Sequence, residues 1–419
     1  MVARDGERAV LAQQRDALVW MRPVPDDVAE APHAIERTVG LCVLQTRLER
    51  GQVRVDVGND GDAHVEDSTT GLPRRREAII PEMKASELGE FGLIERLAGA
   101  LATQAGVEPA GRLAVGIGDD AAVWRANGSA IVATTDTLVS GVHFLAGRTP
   151  ARDLGWKALA VNVSDVAAMG GVPEFALVTL GLPSDAEVDD IDELYRGLAE
   201  AGDAYQVVIA GGDIVSAPTF VVTIALAGRA DIDEAGEPCV LRRGAAQMGD
   251  IIAVTGSLGG SAGGLRVLRD GVEESDAARA LVQRHRRPQA RVEAGRAAVA
   301  AGVRCAIDVS DGLLQDIGHV CRASKLGAVV WSDRLPLDPA LTTVFEHDEV
   351  IRYAAAGGED YELVLTGTQE QIDAVAARID VPLTVVGEMV IQEEHRSSLL
   401  DESAKEIELP AAGWEHLRG

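Results

Sequence analysis

Residues 153–182, DLGWKALAVNVSDVAAMGGVPEFALVTLGL, carry two periods in one run. Leu154, Ala158, Val161 and Ala168 recur near helical spacing, so the spacing predicts a helix over 153–169. Gly170-Gly171 and then Pro173 stop it, and 175–182 is apolar and of strand length. Working outward, 113–117 and 130–134 read as strands before this unit, and 188–204 as a helix after it. Strands follow at 207–210 and 220–227. The segment 242–250 is basic, then rich in glycine and alanine, and reads as a domain junction. A second series begins with a strand at 251–255, helices at 261–268 and 288–301, a strand at 305–309, a helix at 313–323 and a strand at 328–331. It closes with strands at 361–365 and 383–386 around a helix at 370–379. The fold class is therefore α/β (α+β) in two domains, 84–241 and 242–419. Residues 1–83 form an N-terminal extension, in which the short apolar run 39–44, the turn-rich Asn59-Asp60-Gly61-Asp62 and the basic Arg74-Arg75-Arg76 sustain no long period.

Composition narrows the function classes. The chain has 419 residues, 47% apolar and 25% charged, which is ordinary globular material. Its longest apolar stretches, such as 220–228, fall short of the roughly 18 residues that cross a bilayer. The beginning of the sequence shows no apolar signal region, so the cytoplasm is expected. Against 39 Lys and Arg stand 66 Asp and Glu, a net charge of −27, and no basic run offsets it, which argues against nucleic acid and anionic lipid as partners. Cys42, Cys239, Cys305 and Cys321 are far apart, and neither a zinc knot nor a disulfide framework is suggested.

The informative residues are aspartates at the ends of apolar runs, beside glycine: Gly116-Ile-Gly-Asp119-Asp120, Thr134-Thr135-Asp136, Gly211-Gly212-Asp213 and Asp308-Val-Ser-Asp311-Gly312. Asp165 sits in the helix that ends at Gly170-Gly171. Any one of these is commonly a turn or a helix cap. Five segments together are different, because converging anions repel unless a cation joins them, and hard oxygen ligands suit Mg²⁺ with phosphates. The chain has no G-x-x-x-x-G-K-[ST] loop and no protein-kinase signature, and only four lysines, Lys84, Lys157, Lys325 and Lys405. Phosphate charge would then be met by metal rather than by ammonium groups, with the glycine pairs 211–212 and 259–260 letting backbone N–H groups approach.

Gly89-Glu-Phe-Gly-Leu-Ile94, the Gly116 motif, Thr134-Thr-Asp-Thr-Leu-Val-Ser-Gly-Val-His143-Phe, Lys157-Ala-Leu-Ala-Val-Asn-Val-Ser-Asp165-Val-Ala-Ala-Met-Gly, Gly211-Gly-Asp213, Asp308-Val-Ser-Asp-Gly-Leu and Gly357-Gly-Glu359-Asp-Tyr-Glu-Leu occur in this order. Together they resemble the thiamine-monophosphate kinase family, within the aminoimidazole-ribonucleotide-synthetase-like superfamily, from about residue 86 to about residue 414. The resemblance implies transfer of the γ-phosphoryl group of ATP to thiamine monophosphate, with several Mg²⁺ ions as cofactor. It further implies a homodimer, with an N-terminal sheet-forming domain for ATP and dimerisation and a C-terminal α/β domain. It implies metal ligands at Asp120, Thr134, Thr135, Asp136, Asp165, Asp213, Asp308 and Asp311, with Asp119 adjacent. ATP would meet Gly212, Asp213, Arg242 and Ser310, with Arg243 able to replace Arg242. Thiamine monophosphate would meet His143, Glu359 and Trp414.

The acceptor is a phosphate monoester whose second pKa is about 6, so its attacking oxygen is already ionised at neutral pH and no general base is required. The obstacle is repulsion: each like-charge pair about 4 Å apart costs on the order of 4 kcal/mol at an effective dielectric near 20. Metal ions cancelling that charge and aligning an in-line approach would carry the catalysis. Trp414 would offer the thiazolium a ring face worth roughly 0.5–2 kcal/mol. Selenophosphate synthetase, a superfamily relative, normally carries a reactive Cys or selenocysteine with a Lys near the start, and 86–97 has neither. Aminoimidazole ribonucleotide synthetase fits less well, because His143-Phe144 and Glu359 occur together. A non-catalytic ATP- and Mg²⁺-binding protein is the alternative from another class. A truncated chain beginning at Met83 should fold and keep wild-type turnover; loss of either, in circular dichroism or a coupled ADP assay, would make the extension integral.

Overall fold

The computed structural model describes residues 112–414, strands β1 (Arg54–Val57) and β2 (Ala63–Glu66), and helical positions 92, 94–96 and 98. The expectations at 39–44, 74–76 and 89–91 lie outside the described residues. By its contacts the chain divides into Met1–Glu82 and Met83–Gly419. In the first unit β1 and β2 pair antiparallel, Arg54 opposite Glu66 and Val57 opposite Ala63. The turn expectation at Asn59-Asp60-Gly61-Asp62 also lies outside the described residues. Four-residue strands hold barely two repeats of alternation, which is why no period is readable there.

Among the described residues, the second unit contains two six-stranded sheets. The first comprises β3 (Leu113–Val115), β4 (Ala122–Ala126), β5 (Ser129–Val139), β6 (Val172–Leu182), β7 (Val208–Ser216) and β8 (Val221–Ala230), in the order β3-β4-β5-β8-β6-β7. Helix α1 (Ala151–Ala168) links β5 to β6, and α2 (Val188–Tyr205) links β6 to the parallel neighbour β7. The turn at Gly170, followed by Pro173, ends α1 where the sequence places the stop. Alternation along β5 and β6 sends Val132, Leu138, Val178 and Leu180 into a core shared with Leu159, Val163, Leu194 and Leu198 of the two helices. The other face leaves Phe175 and Leu177 exposed, as are Val208, Ile214 and Val215 on the edge strand β7.

The second sheet contains β9 (Ile251–Thr255), β10 (Cys305–Asp308), β11 (Gly327–Trp331), β12 (Leu363–Gly367), β13 (Leu383–Val390) and β14 (Ser397–Leu400), ordered β10-β12-β9-β13-β11-β14. Around it run α3 (Gly260–Asp270), α4 (Asp276–Arg286), α5 (Val292–Ala300), α6 (Leu313–Ser324), α7 (Leu341–Val344), α8 (His347–Ala356) and α9 (Gln369–Ala376). The architecture is thus two mixed sheets, each with helices. The sequence reading has no counterpart for β4, β14, α7 and α8; the other differences are local. Strand β7 continues through Gly211-Gly212-Asp213 because parallel pairing with β6 holds residues that the local composition marks as a turn. Helix α4, rich in Arg and capped by Ser275, which accepts from the Ala278 N–H at 3.1 Å, carries too thin an apolar stripe to be read. Helix α5 starts at Val292, past the expected 288.

Helix α1 is buried on almost every side, because it packs on the first sheet and on α2 and also meets α5 and β10. Its closeness to α2 depends on Gly197, where a Cβ would stand 1.8 Å from the Arg152 carbonyl oxygen. Among the described residues no helix is long and apolar enough to cross a membrane. Gly197→Ala should lower stability by about 2 kcal/mol through overpacking, read as a shifted midpoint in denaturant unfolding; an unchanged midpoint would mean that the two helices separate easily.

Candidate active site

Three carboxylates meet between the sheets. Asp120 comes from the β3–β4 turn, Asp165 from the last turns of α1, and Asp308 from the end of β10. One oxygen of each lies within 4.8 Å of the others. Thr134 Oγ1 donates to Asp165 Oδ2 at 2.6 Å, and Ser164 Oγ donates to Asp308 Oδ2 at 2.6 Å. The Asp136 N–H donates to Asn162 Oδ1 at 3.0 Å, so β5 and α1 are tied beside the cluster. Burial pushes Asp308 up to about 7, aided by Asp120, while the Ser164 hydroxyl and Arg243 oppose the rise. Burial, then Asp136, Asp308 and Asp120, hold Asp165 well above the ordinary carboxylate range. Asp120 Oδ2 is buried without a hydrogen-bond partner. An all-oxygen set with one uncommitted buried oxygen fits a hard divalent cation.

The other expected ligands are placed differently. Thr135 alternates to the opposite, exposed face of the first sheet, and its Oγ1 donates to the Ile224 carbonyl at 3.0 Å. Asp213 lies on the exposed edge strand β7, where its Oδ1 accepts from the Ile214 N–H at 2.9 Å, outside the three-carboxylate cluster. At Gly212 a Cβ would sit 1.7 Å from the Val178 carbonyl oxygen, so β7 needs glycine there to approach β6. Arg242 is exposed, and its N–H is spent on the Arg304 carbonyl at 2.8 Å. Its neighbour Arg243 is the arginine at the cluster: Nη2 pairs with Asp120 Oδ1, and its N–H donates to Asp119 Oδ1 at 3.1 Å. Burial and Asp120 together raise Asp119 to about 6, against those hydrogen bonds.

A second group surrounds the turn after β10. Asp316 Oδ2 accepts the N–H groups of Ser310, Asp311 and Gly312 at 3.1, 3.2 and 3.0 Å, so one buried carboxylate shapes the turn that presents Ser310 and Asp311. Asp311, Asp316 and His319 also have ligand atoms within 4.8 Å of one another. The Trp414 main-chain N–H donates to the Asp311 carbonyl at 3.0 Å, and Gln315 Nε2 bridges Asp311 to the Trp414 carbonyl, which ties the Trp414 backbone to this turn and leaves the residue half exposed. The Gly357-Gly358-Glu359 loop lies against the same turn: the Glu359 N–H donates to the Ser310 carbonyl at 2.8 Å. A Cβ on Gly358 would stand 2.5 Å from that same oxygen, and one on Gly312 would stand 2.8 Å from the Ala356 oxygen. Glu359 itself adopts φ +67°, a conformation few side chains take and one that collects at functional sites.

Lys157 is the residue that the sequence reading leaves out. Its ammonium is buried and pairs with Glu359 Oε1 at 2.8 Å, so an ammonium group does stand in this region. His143 Nδ1 accepts from the Val139 N–H at 3.1 Å in the turn after β5, which leaves the ring's proton on Nε2. Burial pushes Glu359 up, but the Lys157 ammonium overcomes that and holds it below its ordinary value. The expected phosphate approach at Gly259-Gly260 does not match: Asp360 already occupies the start of α3, accepting from the Gly259 and Ser261 N–H groups at 2.6 and 3.0 Å. The signal for Lys157 was its place seven residues before Ser164, two turns along the same stripe of α1.

Residues 118–230 match the model of the AIR synthase related protein, N-terminal domain, and 247–399 that of the AIR synthase related protein, C-terminal domain. The thiamine-monophosphate kinase of Aquifex aeolicus is 34% identical over 337 residues, 80% of this chain and all of that protein. The enzyme of the same name from Escherichia coli K12 is 36% identical over 335 residues, 78% of this chain and 98% of its own. This chain belongs to the thiamine-monophosphate kinase family. The solved structure of "AaThiL complexed with AMPPCP and TMP" aligns with a TM-score of 0.67 at 32% identity, covering 80% of this chain and 99% of that one. The hydrogenase maturation protein HypE, at 16% identity and TM-score 0.57, shares the fold alone.

Asp165→Asn keeps the side chain's shape and its acceptor for Thr134 while removing one of three mutually repelling charges. In EDTA its melting temperature should equal or exceed wild type, while turnover should fall by about 100-fold or more. Near wild-type turnover would remove Asp165 from the working cluster.

Proposed function

We propose that this chain transfers the γ-phosphoryl group of ATP to thiamine monophosphate, giving thiamine diphosphate and ADP by direct in-line transfer. The observation that carries this reading is the buried meeting of Asp120, Asp165 and Asp308 in a chain that aligns over nearly the full length of a relative solved with AMPPCP and TMP. Asp120, Asp165 and Asp308 would hold Mg²⁺, which when bound supplies charge neutralisation and alignment for the phosphates. Thr134 and Asp136 lie beside these carboxylates and would support the cation from there, while Asp311 would join from the turn after β10. Asp213 and Thr135 would enter the ligand set only from the edge strand and from the main chain. Gly212, Asp213, Arg242 and Ser310 are proposed for ATP, with Arg243 better placed than Arg242 to meet a phosphate near Asp120. His143, Glu359 and Trp414 are proposed for thiamine monophosphate.

The protein's own work in this scheme is positioning. The attacking phosphate oxygen is ionised near neutral pH, so no side chain needs to remove a proton, and no general base is assigned. Ser164 and Thr134 fix the carboxylates, while Asp316 fixes the turn carrying Ser310 and Asp311. A homodimer formed through the first sheet is supported by the apolar side chains Phe175, Leu177, Val208, Ile214 and Val215, exposed on that sheet. A cytoplasmic location suits both substrates.

The test is purified protein with γ-labelled ATP, thiamine monophosphate and Mg²⁺. Label should appear in thiamine diphosphate, and EDTA should abolish the transfer. Label left wholly in ATP, with nucleotide binding intact, would support the non-catalytic reading; label in a different acceptor from a phosphate panel would reassign the substrate.

A further inference from the structure

A lysine side chain is rarely buried, because an ammonium taken out of water is costly unless an anion and hydrogen bonds compensate it. Lys157 is 1% exposed. Among the described residues its one ion-pair partner is Glu359, whose Oε1 lies 2.8 Å from Nζ; the buried Nζ has no hydrogen-bond partner of good geometry, so its compensation is the ion pair alone. The pair joins the helix of the first sheet to a loop of the second. The other carboxylate oxygen of Glu359, Oε2, faces His285 Nδ1 at 3.3 Å, and that ring nitrogen also meets Ser261 Oγ at 3.0 Å. Burial, and then Lys157, push His285 down to about 3, so the imidazole is neutral and adds direction rather than charge. The Glu359 backbone is fixed independently, at φ +67° and through its N–H to the Ser310 carbonyl.

We infer that Lys157 is a positioning residue for the acceptor: it holds the Glu359 carboxylate in one orientation, so that Glu359 can accept hydrogen bonds from the organic part of thiamine monophosphate. The inference rests on the function proposed above. The Lys157–Glu359 pair is neutral as a whole, so recognition here works through the direction of accepted hydrogen bonds and not through net charge against the thiazolium. Lys157 also shares a rigid helix with Asp165, eight residues on, a rise of about 12 Å along the axis. One helix thereby sets the spacing between the carboxylate cluster and the acceptor-facing glutamate.

Steady-state kinetics of Lys157→Met and Lys157→Arg test this. Lys157→Met should raise KM for thiamine monophosphate by about tenfold or more and leave KM for ATP within about twofold. Lys157→Arg keeps the charge but places a planar fork where a point ammonium stood, so it should fold as wild type and show a smaller rise, again confined to thiamine monophosphate. If Lys157→Met does not fold, the arginine variant alone decides: a selective rise supports the inference, and unchanged KM values overturn it. Equal rises in both KM values, or a lowered melting temperature with unmoved kinetics, also overturn it and leave Lys157 a packing residue. Wild-type protein that fails to phosphorylate thiamine monophosphate would end both readings, whereas active wild type with insensitive variants would end only this one.

Discussion

Three carboxyl groups with oxygens within 4.8 Å of each other, in a buried site, oppose one another. At about 4 Å each ionised pair costs on the order of 4 kcal/mol even at an effective dielectric near 20. Nothing in the surrounding core lowers that cost by chance, so the fold has to impose the arrangement. It does so with hydroxyl donors from Ser164 and Thr134, with Arg243 on Asp120, and with three separate chain segments anchored in two sheets. Such an arrangement is stable only if the sheets themselves are held firmly.

The holding element is α1. Because it is apolar on nearly all sides, it has no solvent face to orient it, and its polar residues mark the places where it meets something specific. Asn162 reaches β5, Ser164 reaches β10, Asp165 reaches Thr134 and Lys157 reaches the Glu359 loop. Four polar contacts from one helix therefore register the first sheet against the second. That explains how side chains from 120 and 308, far apart in sequence, come to share one small volume.

The fold was largely legible because α1 and the strand after it display their periods and stops openly, and because most strands of both sheets have apolar cores. Strand β7 was cut short in the reading, since Gly211 and Gly212 weaken a local strand signal that only pairing with β6 restores. Within the site, Asp120 and Asp308 could be picked out by their position at the ends of apolar runs, and Asp165 by its place in the helix that stops at Gly170-Gly171. Which face a residue takes could not be told for Thr135 or Asp213, because the register of the sheet is a non-local property. The choice between Arg242 and Arg243 was equally invisible: it depends on which side of a short helical turn points to Asp120. Lys157, Asp316 and Asp360 act by bonding to other protein groups, and sequence alone does not show such partners.

The turn after β10 and the Gly357-Gly358-Glu359 loop fit each other backbone to backbone, with Gly312 and Gly358 leaving no room for a methyl group on either side. Neither loop can drift or be exchanged alone without a steric collision across the seam. Anyone redesigning this scaffold to accept a different phosphorylated molecule would have to transplant both as a single cassette, together with Asp316 that shapes one of them. Diversification at this end of the site is thus confined to the side chains these backbones display, while the path of the chain stays fixed.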